Sequence, residues 1–143
     1  MVGEGMESLK IKDYMNIRPV TFTENMSLSA ALDKLLTAKQ IGGPVINEHK
    51  QVVGFISEQD MIHKLLKVGY HCQDSHTVSE CMQTDVLTVS GEDTIIVLAE
   101  TMTGQKPKIY PVVDDGRLVG VITRRDVLTA ISNQIGACFK HPL

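Results

Sequence analysis

"VVGFISEQD" occupies residues 52–60, and "LVGVITRRD" occupies residues 118–126, which is 66 positions further along the chain. Each phrase reads as two apolar residues, a glycine, two apolar residues, a hydroxyl residue, two polar residues and an aspartate. An apolar run that ends in Ser or Thr, with an acid three residues later, is typical of a buried strand running into a capped helix. Because the phrase occurs twice, the sequence predicts an internal repeat.

The repeat extends well beyond the two phrases. A shift of 67 residues aligns most of the two halves, and one extra residue in the turn "NEHKQ" (47–51) reduces the shift to 66 for the remainder. The aligned pairs include Met15 with Met82, Thr21 with Thr88, Pro44 with Pro111, Val45 with Val112, Gly54 with Gly120 and Asp60 with Asp126. We therefore expect both halves to share one plan.

Each half is predicted to run strand, helix, strand, strand, helix. The first strands are "PVTF" (19–22) and "VLTV" (86–89), and apolar residues at helical spacing follow them from Leu28 and from Ile95. The second helices carry apolar residues at Met61, Ile62, Leu65 and Leu66 in one copy and at Val127, Leu128 and Ile131 in the other. The predicted fold class is α+β, with two pseudo-symmetric repeats whose small sheets pack together and are flanked by helices. The expected repeats are 11–68 and 78–133, joined by a linker at 69–77, and together they form one module.

The segment "MESLKIKDYM" (6–15) precedes the first repeat. We expect it to form a short helix that packs against the second half, with Ile11 and Tyr14 turned inward.

Composition narrows the function classes. A net charge of −3 and a pI near 5.9 argue against a nucleic-acid binder. No apolar run reaches the length needed to cross a membrane, and the start lacks the apolar stretch of a signal peptide. Three cysteines, Cys72, Cys81 and Cys138, are an odd number without framework spacing. These features predict a soluble, cytoplasmic protein.

The two copies of Gly-apolar-apolar-Ser/Thr-x-x-Asp, each preceded by Pro-Val-apolar-Asn/Asp, resemble a tandem pair of CBS domains. These are cystathionine-beta-synthase-type modules, and a pair of them is called a Bateman module. The resemblance covers about Ile11 to Ile131. It implies a regulatory pair of repeats, often a homodimer, that binds an adenosine-containing ligand such as AMP, ADP, ATP or S-adenosylmethionine, and sometimes NAD(H) or a cyclic dinucleotide, without acting on it chemically.

The residues themselves fit such a ligand. Asp60 or Asp126 can accept hydrogen bonds from neighbouring ribose hydroxyls. Ser57 or Thr123 stands at a strand-to-helix junction, where free N–H groups and the helix dipole favour a phosphate. Arg124 adds positive charge in the second copy, together with Arg125, whereas Glu58 in the first copy would repel a phosphate. We therefore expect the second copy to be the better nucleotide site.

The family pattern also implies where the adenine lies. For the Thr123/Asp126 site it assigns Arg18, Pro19, Val20, Ile41, Gly42 and Pro44, from the other half. For the Ser57/Asp60 site it assigns Val86, Leu87, Lys108, Ile109 and Pro111. The "IGGP" stretch lacks bulky side chains, so we expect a base to approach closely there.

Other interpretations remain open at this point. Ser-x-x-Asp and Thr-x-x-Asp are also variants of the helix capping box, so the alternative interpretation is a dimerisation or protein-interaction module without a ligand. Zinc is considered for "HCQDSH" (71–76) with Cys81, but the spacing matches no usual pair of ligands. No catalytic motif is present, and we expect neither an enzyme nor a metal site. The sequence shows no appended domain to regulate, so we expect a signal to pass to a separate protein partner or through the protein's own assembly.

Overall fold

The computed structural model describes residues 9–68 and 76–140. Within them lie four α-helices and four strands: α1 (Leu28–Ala38), β1 (Gly42–Ile46), β2 (Val52–Ser57), α2 (Glu58–Val68), α3 (Ile95–Thr101), β3 (Ile109–Asp114), β4 (Arg117–Thr123) and α4 (Arg124–Lys140). Strand β1 pairs with β2 in one sheet, and β3 pairs with β4 in another. The α+β class is confirmed, and the order helix, strand, strand, helix occurs twice.

The predicted strands at 19–22 and 86–89 are wrong as strands, because each is reduced to a single bridge. Phe22 bridges Val45, and Val89 bridges Val112, both in parallel. The next bond of the first parallel ladder would need an N–H at position 44 to donate to the carbonyl of Val20. Position 44 is proline, and Pro111 stands at the corresponding place in the second copy, so neither ladder can extend back along the predicted strand.

The chain divides into two compact units. The first-repeat unit comprises Arg18–Leu87 and Asp115–Leu118, and the second-repeat unit comprises 9–17, Thr88–Asp114 and 119–140. The first residues of each repeat, 11–17 and 78–87, thus belong to the unit of the other repeat. Residues 6–8 of the N-terminal segment lie outside the described residues. In the remainder, Ile11–Asp13 forms a 3-10 helix, Ile11 is fully buried and Tyr14 packs against the same core as Ile95, as expected.

Segments 11–17 and 78–87 are hydrogen-bonded in the same way to the units that contain them. Gln83 exchanges two backbone hydrogen bonds with Phe55, both at 2.8 Å. Asn16 exchanges two with Val121, at 2.8 and 3.0 Å. Both pairs are related by the alignment of the repeats, so the structure confirms the repeat at the level of individual bonds.

The close approach of these segments explains the glycine in each phrase. A Cβ on Gly54 would lie 2.6 Å from the sulfur of Met82, and a Cβ on Gly120 would lie 2.7 Å from the carbonyl oxygen of Asn16. No side chain fits at either position without displacing its neighbour. The glycine is therefore required by packing within each unit.

Each unit has its own aliphatic core. Buried residues of the first-repeat unit are Phe22, Leu28, Ala31, Leu35, Val45, Ile56, Met61 and Val78. Buried residues of the second-repeat unit are Ile11, Ile95, Leu98, Tyr110, Val112, Ile122, Val127 and Ala130. The apolar helix faces predicted from spacing are only partly buried, since Leu36, Ile62, Leu66 and Leu128 are 63%, 58%, 74% and 59% exposed. Nowhere in the described residues is there a helix with the length and apolar character that crossing a membrane requires.

Candidate functional site

In the first repeat, β2 ends at Ser57 and α2 begins at the next residue. The Ser57 N–H and hydroxyl donate to Oδ2 of Asp60 at 2.9 and 2.8 Å, and the Asp60 N–H donates to the Ser57 hydroxyl at 3.1 Å. This reciprocal pattern is a helix cap. It fixes a half-buried carboxylate at the start of α2.

The second repeat has the same cap. The Thr123 N–H donates to Oδ2 of Asp126 at 2.9 Å, and the Asp126 N–H donates to Oγ1 of Thr123 at 3.1 Å. Both aspartates are half-buried. The two predicted residues of each phrase are therefore brought together, and the capping role that was left open is present in both copies.

Gln83 is a site residue that sequence reasoning missed. Its side-chain amide donates to both oxygens of Asp60, at 3.1 Å for Oδ1 and 3.3 Å for Oδ2. The signal was available in the repeat alignment, because Gln83 and its counterpart Asn16 are both amides that directly follow an aligned methionine. Nothing in the sequence, however, shows that the residues around Gln83 pack in the first-repeat unit, and so nothing places Gln83 beside Asp60.

The segment before each proline lies beside the helix start of its own repeat. The Glu58 N–H donates to the carbonyl of Ile41 at 2.9 Å, and the Arg124 N–H donates to the carbonyl of Lys108 at 2.8 Å. Gly42 is the direct strand partner of Ser57. The resemblance assigned these segments to the site of the other repeat, and that assignment stays a prediction.

The electrostatic surroundings of the two caps differ. Lys108, Arg124 and Arg125 are exposed residues at the start of α4. The corresponding positions at the start of α2 hold Ile41, Glu58 and Gln59. Only the second repeat therefore combines a helix N-terminus with nearby cations, as expected from the sequence.

The glycines of "IGGP" are explained by packing within the first-repeat unit. A Cβ on Gly42 would lie 2.8 Å from the ring of Phe55, and one on Gly43 would collide with the carbonyl oxygen of Val20. A base is not needed to account for the small residues. The interpretation that they make room for a ligand stays a prediction.

The other predicted base-contacting residues differ in exposure. Pro44, Ile109 and Pro111 are buried, Pro19, Val20 and Val86 are half-buried, and Arg18 and Leu87 are exposed. Among the described residues no cluster of His, Cys, Asp or Glu is arranged for a metal ion. Most of "HCQDSH", including Cys72, lies outside those residues, as does the side chain of Cys138. Burial raises the pKa of the Cys81 thiol, which reduces its reactivity.

The sequence model of the CBS domain matches residues 11–67 and 78–133. This chain belongs to the CBS domain family. The two matches coincide with the two copies of the phrase, so the chain contains a tandem pair of CBS repeats.

Two curated relatives match this chain over a small part of their own length. The chain is 32% identical over 127 residues to an A-adding tRNA nucleotidyltransferase of Aquifex aeolicus, covering 89% of this chain and 15% of that protein. It is 29% identical over 118 residues to an L-aspartate semialdehyde sulfurtransferase of Methanocaldococcus jannaschii, covering 82% of this chain and 22% of that protein. The shared region is thus a minor part of both enzymes.

Two solved CBS pairs that are similar in fold to this chain contain adenosine compounds. The CBS domain pair of protein MJ0100, in complex with 5′-methylthioadenosine and S-adenosyl-L-methionine, is 27% identical with a TM-score of 0.74, covering 87% of this chain and 97% of that chain. CBSX2 in complex with AMP is 27% identical with a TM-score of 0.75, over the same shares of the two chains. CBS pairs similar to this one therefore bind adenosine ligands.

Proposed function

We propose that this chain is a regulatory sensor that binds an adenosine-containing ligand at its CBS repeats and relays occupancy to a protein partner in the cytoplasm. The observation that carries the proposal is the half-buried carboxylate of Asp126, held by Thr123 at the start of α4. AMP, 5′-methylthioadenosine and S-adenosyl-L-methionine, the ligands in the two similar structures, share a ribose. A carboxylate that accepts from two ribose hydroxyls would recognise that common part.

Capping by Asp126 is compatible with binding. A carboxylate has about four lone-pair positions, and the Thr123 N–H uses one position of Oδ2. The cap also has a positive role, since it holds the carboxylate in one rotamer before a ligand arrives. Less conformational freedom is then lost on binding.

The second repeat is proposed to favour ligands that carry a phosphate. The start of α4 carries the positive end of the helix dipole, and Lys108, Arg124 and Arg125 add cationic side chains nearby. The first repeat has Glu58 instead, which disfavours an anion but suits an uncharged or cationic nucleoside. AMP or ADP is accordingly proposed for the second repeat, and 5′-methylthioadenosine or S-adenosylmethionine for the first.

Signalling requires a ligand to prefer one of two arrangements of the protein. A ligand can shift such an equilibrium only by its difference in affinity for the two states. We therefore propose that occupancy is relayed through a conformational shift rather than through chemistry on the ligand. A homodimer is also proposed, because Ile62, Leu66 and Leu128 leave apolar surface exposed on α2 and α4.

The alternative function is a dimerisation or protein-interaction module without a ligand. It is favoured by the fact that both capping boxes are complete as purely structural features. A thermal-melt screen with AMP, ADP, ATP, S-adenosylmethionine and 5′-methylthioadenosine separates the two functions. A ligand at 100 times its Kd stabilises the folded state by about 2.7 kcal/mol. A rise of several degrees in Tm supports the sensor, and no rise with any compound supports the interaction module.

A further inference from the structure

Asp60 makes one contact that its own cap does not require. Its Oδ2 receives the Ser57 N–H and hydroxyl at 2.9 and 2.8 Å, which completes the cap. Its Oδ1 receives the Gln83 amide at 3.1 Å. Gln83 thus engages the carboxylate oxygen that the cap leaves open, and it also donates to Oδ2 at 3.3 Å. A ribose that binds Asp60 has to compete with this amide.

Gln83 is anchored so that it competes effectively. Two backbone hydrogen bonds to Phe55, both at 2.8 Å, hold its main chain beside β2. Its side chain is exposed, so it can leave Asp60 for solvent and return without any movement of the backbone. Because the competing amide belongs to the same unit, its effective concentration at the carboxylate is high.

Gln83 also lies close to a boundary between the two units. Residues 76–87 belong to the first-repeat unit, and the chain enters the second-repeat unit at Thr88. A ligand that takes the Asp60 carboxylate therefore alters the contacts of residues 76–87, which lie just before one of the points where the chain passes from one unit to the other.

We infer that Gln83 competes with a bound ribose for the Asp60 carboxylate at the first repeat. Its displacement from Asp60 links ligand binding to residues 76–87, just before the unit boundary. This inference rests on the proposed function. It assigns to Gln83 a specificity role, because only a ligand whose hydroxyls bind Asp60 better than the amide does can occupy this repeat.

The test uses the full chain with Asp126→Ala, which leaves the first repeat as the proposed site. The probe is 5′-methylthioadenosine, and its Kd is measured by calorimetry with and without Gln83→Met. Methionine is close to glutamine in length and has no donor. Loss of one hydrogen bond to a carboxylate at an exposed position should tighten binding about 3- to 10-fold. Gln51→Met, in the turn between β1 and β2, is the matched control and should leave the Kd unchanged.

Amide hydrogen exchange gives a second measurement on the same proteins. The probe should change exchange in residues 76–87 of the Asp126→Ala protein, and Gln83→Met should remove most of that change. Equal or weaker binding by Gln83→Met overturns the competitor while leaving the proposed function intact. Failure of both proteins to bind the probe contradicts the proposed function at the first repeat, and the competitor with it.

Discussion

The carbonyl oxygen of Lys108 accepts the backbone N–H of Arg124 at 2.8 Å, so the residue before β3 is tied to the first residue of α4. In the first repeat the same bond joins Ile41 to Glu58. One backbone arrangement therefore presents two cationic residues in the second repeat, and an apolar and an acidic residue in the first. The two repeats have the same backbone arrangement here but differ in the charge of the side chains beside it.

Arg124→Ala should weaken AMP binding about 3- to 10-fold, because a charge-assisted contact to the phosphate is lost at an exposed position. Binding of 5′-methylthioadenosine, which has no phosphate, should change little. Calorimetric titration of both compounds measures the difference. Equal weakening of the two would remove the phosphate role of Arg124. Glu58→Arg is the reciprocal variant and should give the first repeat a measurable affinity for AMP.

Gly54→Ala and Gly120→Ala should each lower the free energy of unfolding by about 1–3 kcal/mol, since the added methyl group meets Met82 or the backbone of Asn16. Gly136→Ala is the matched control. It lies in α4 with nothing within 4 Å of the added Cβ, and it should be stabilising by about 0.5–1 kcal/mol. Urea denaturation gives all three values. An unchanged free energy of unfolding in Gly54→Ala would show that Met82 does not pack as closely on Gly54 as described.

Tyr110→Phe should raise the free energy of unfolding by about 1 kcal/mol. The side chain is 1% exposed, and its hydroxyl has no hydrogen-bond partner among the described residues. Burial also raises the pKa of this phenol. Because the hydroxyl loses its hydration without gaining a partner, phenylalanine is the better fit. A loss of stability in the same denaturation experiment would mean that the hydroxyl does have a partner.

Glu92 should make stability depend on acid pH. Hydrogen bonds from Lys10 and then Lys12, at 2.7 and 2.9 Å, lower its pKa from an ordinary 4.5 to about 2. A depressed folded-state pKa stabilises the protein above pH 4.5, and this contribution is lost as the pH falls toward 2. Glu92→Gln should therefore be less stable than the parent near neutral pH and equally stable near pH 2. Melts at low ionic strength check this, since salt screens exposed pairs. A stability difference that does not vary with pH would contradict it.

Much of the fold followed from local patterns in the sequence. The two phrases marked the junctions of β2 with α2 and of β4 with α4, and the strand–strand–helix order was confirmed in both copies. The extra strands were wrong because a parallel ladder depends on both partners, and Pro44 and Pro111 interrupt it from the partner side. Pairing of that kind cannot be judged from one segment alone.

The site was predictable only where its members are close in sequence. The contact of Ser57 with Asp60 spans three residues and was read directly from the phrase. Gln83 lies 23 residues from Asp60 and reaches it only because the first residues of the second repeat pack in the first-repeat unit. This packing of one repeat's first residues in the unit of the other repeat is tertiary structure, and no sequence pattern within either half predicts it.

The central claim is that Asp126 binds a ribose in addition to capping α4. Calorimetric titration of AMP into the parent, Asp126→Ala and Ser27→Ala tests it most directly. Ser27 caps α1 by accepting the Ala30 N–H, so both variants should lose about 1 kcal/mol of stability, as is typical for a helix cap. The account predicts that AMP affinity falls at least about tenfold in Asp126→Ala and is unchanged in Ser27→Ala, which corresponds to about 1.4 kcal/mol or more of lost binding. Equal AMP affinity in both variants would contradict the account and leave Asp126 as a helix cap alone.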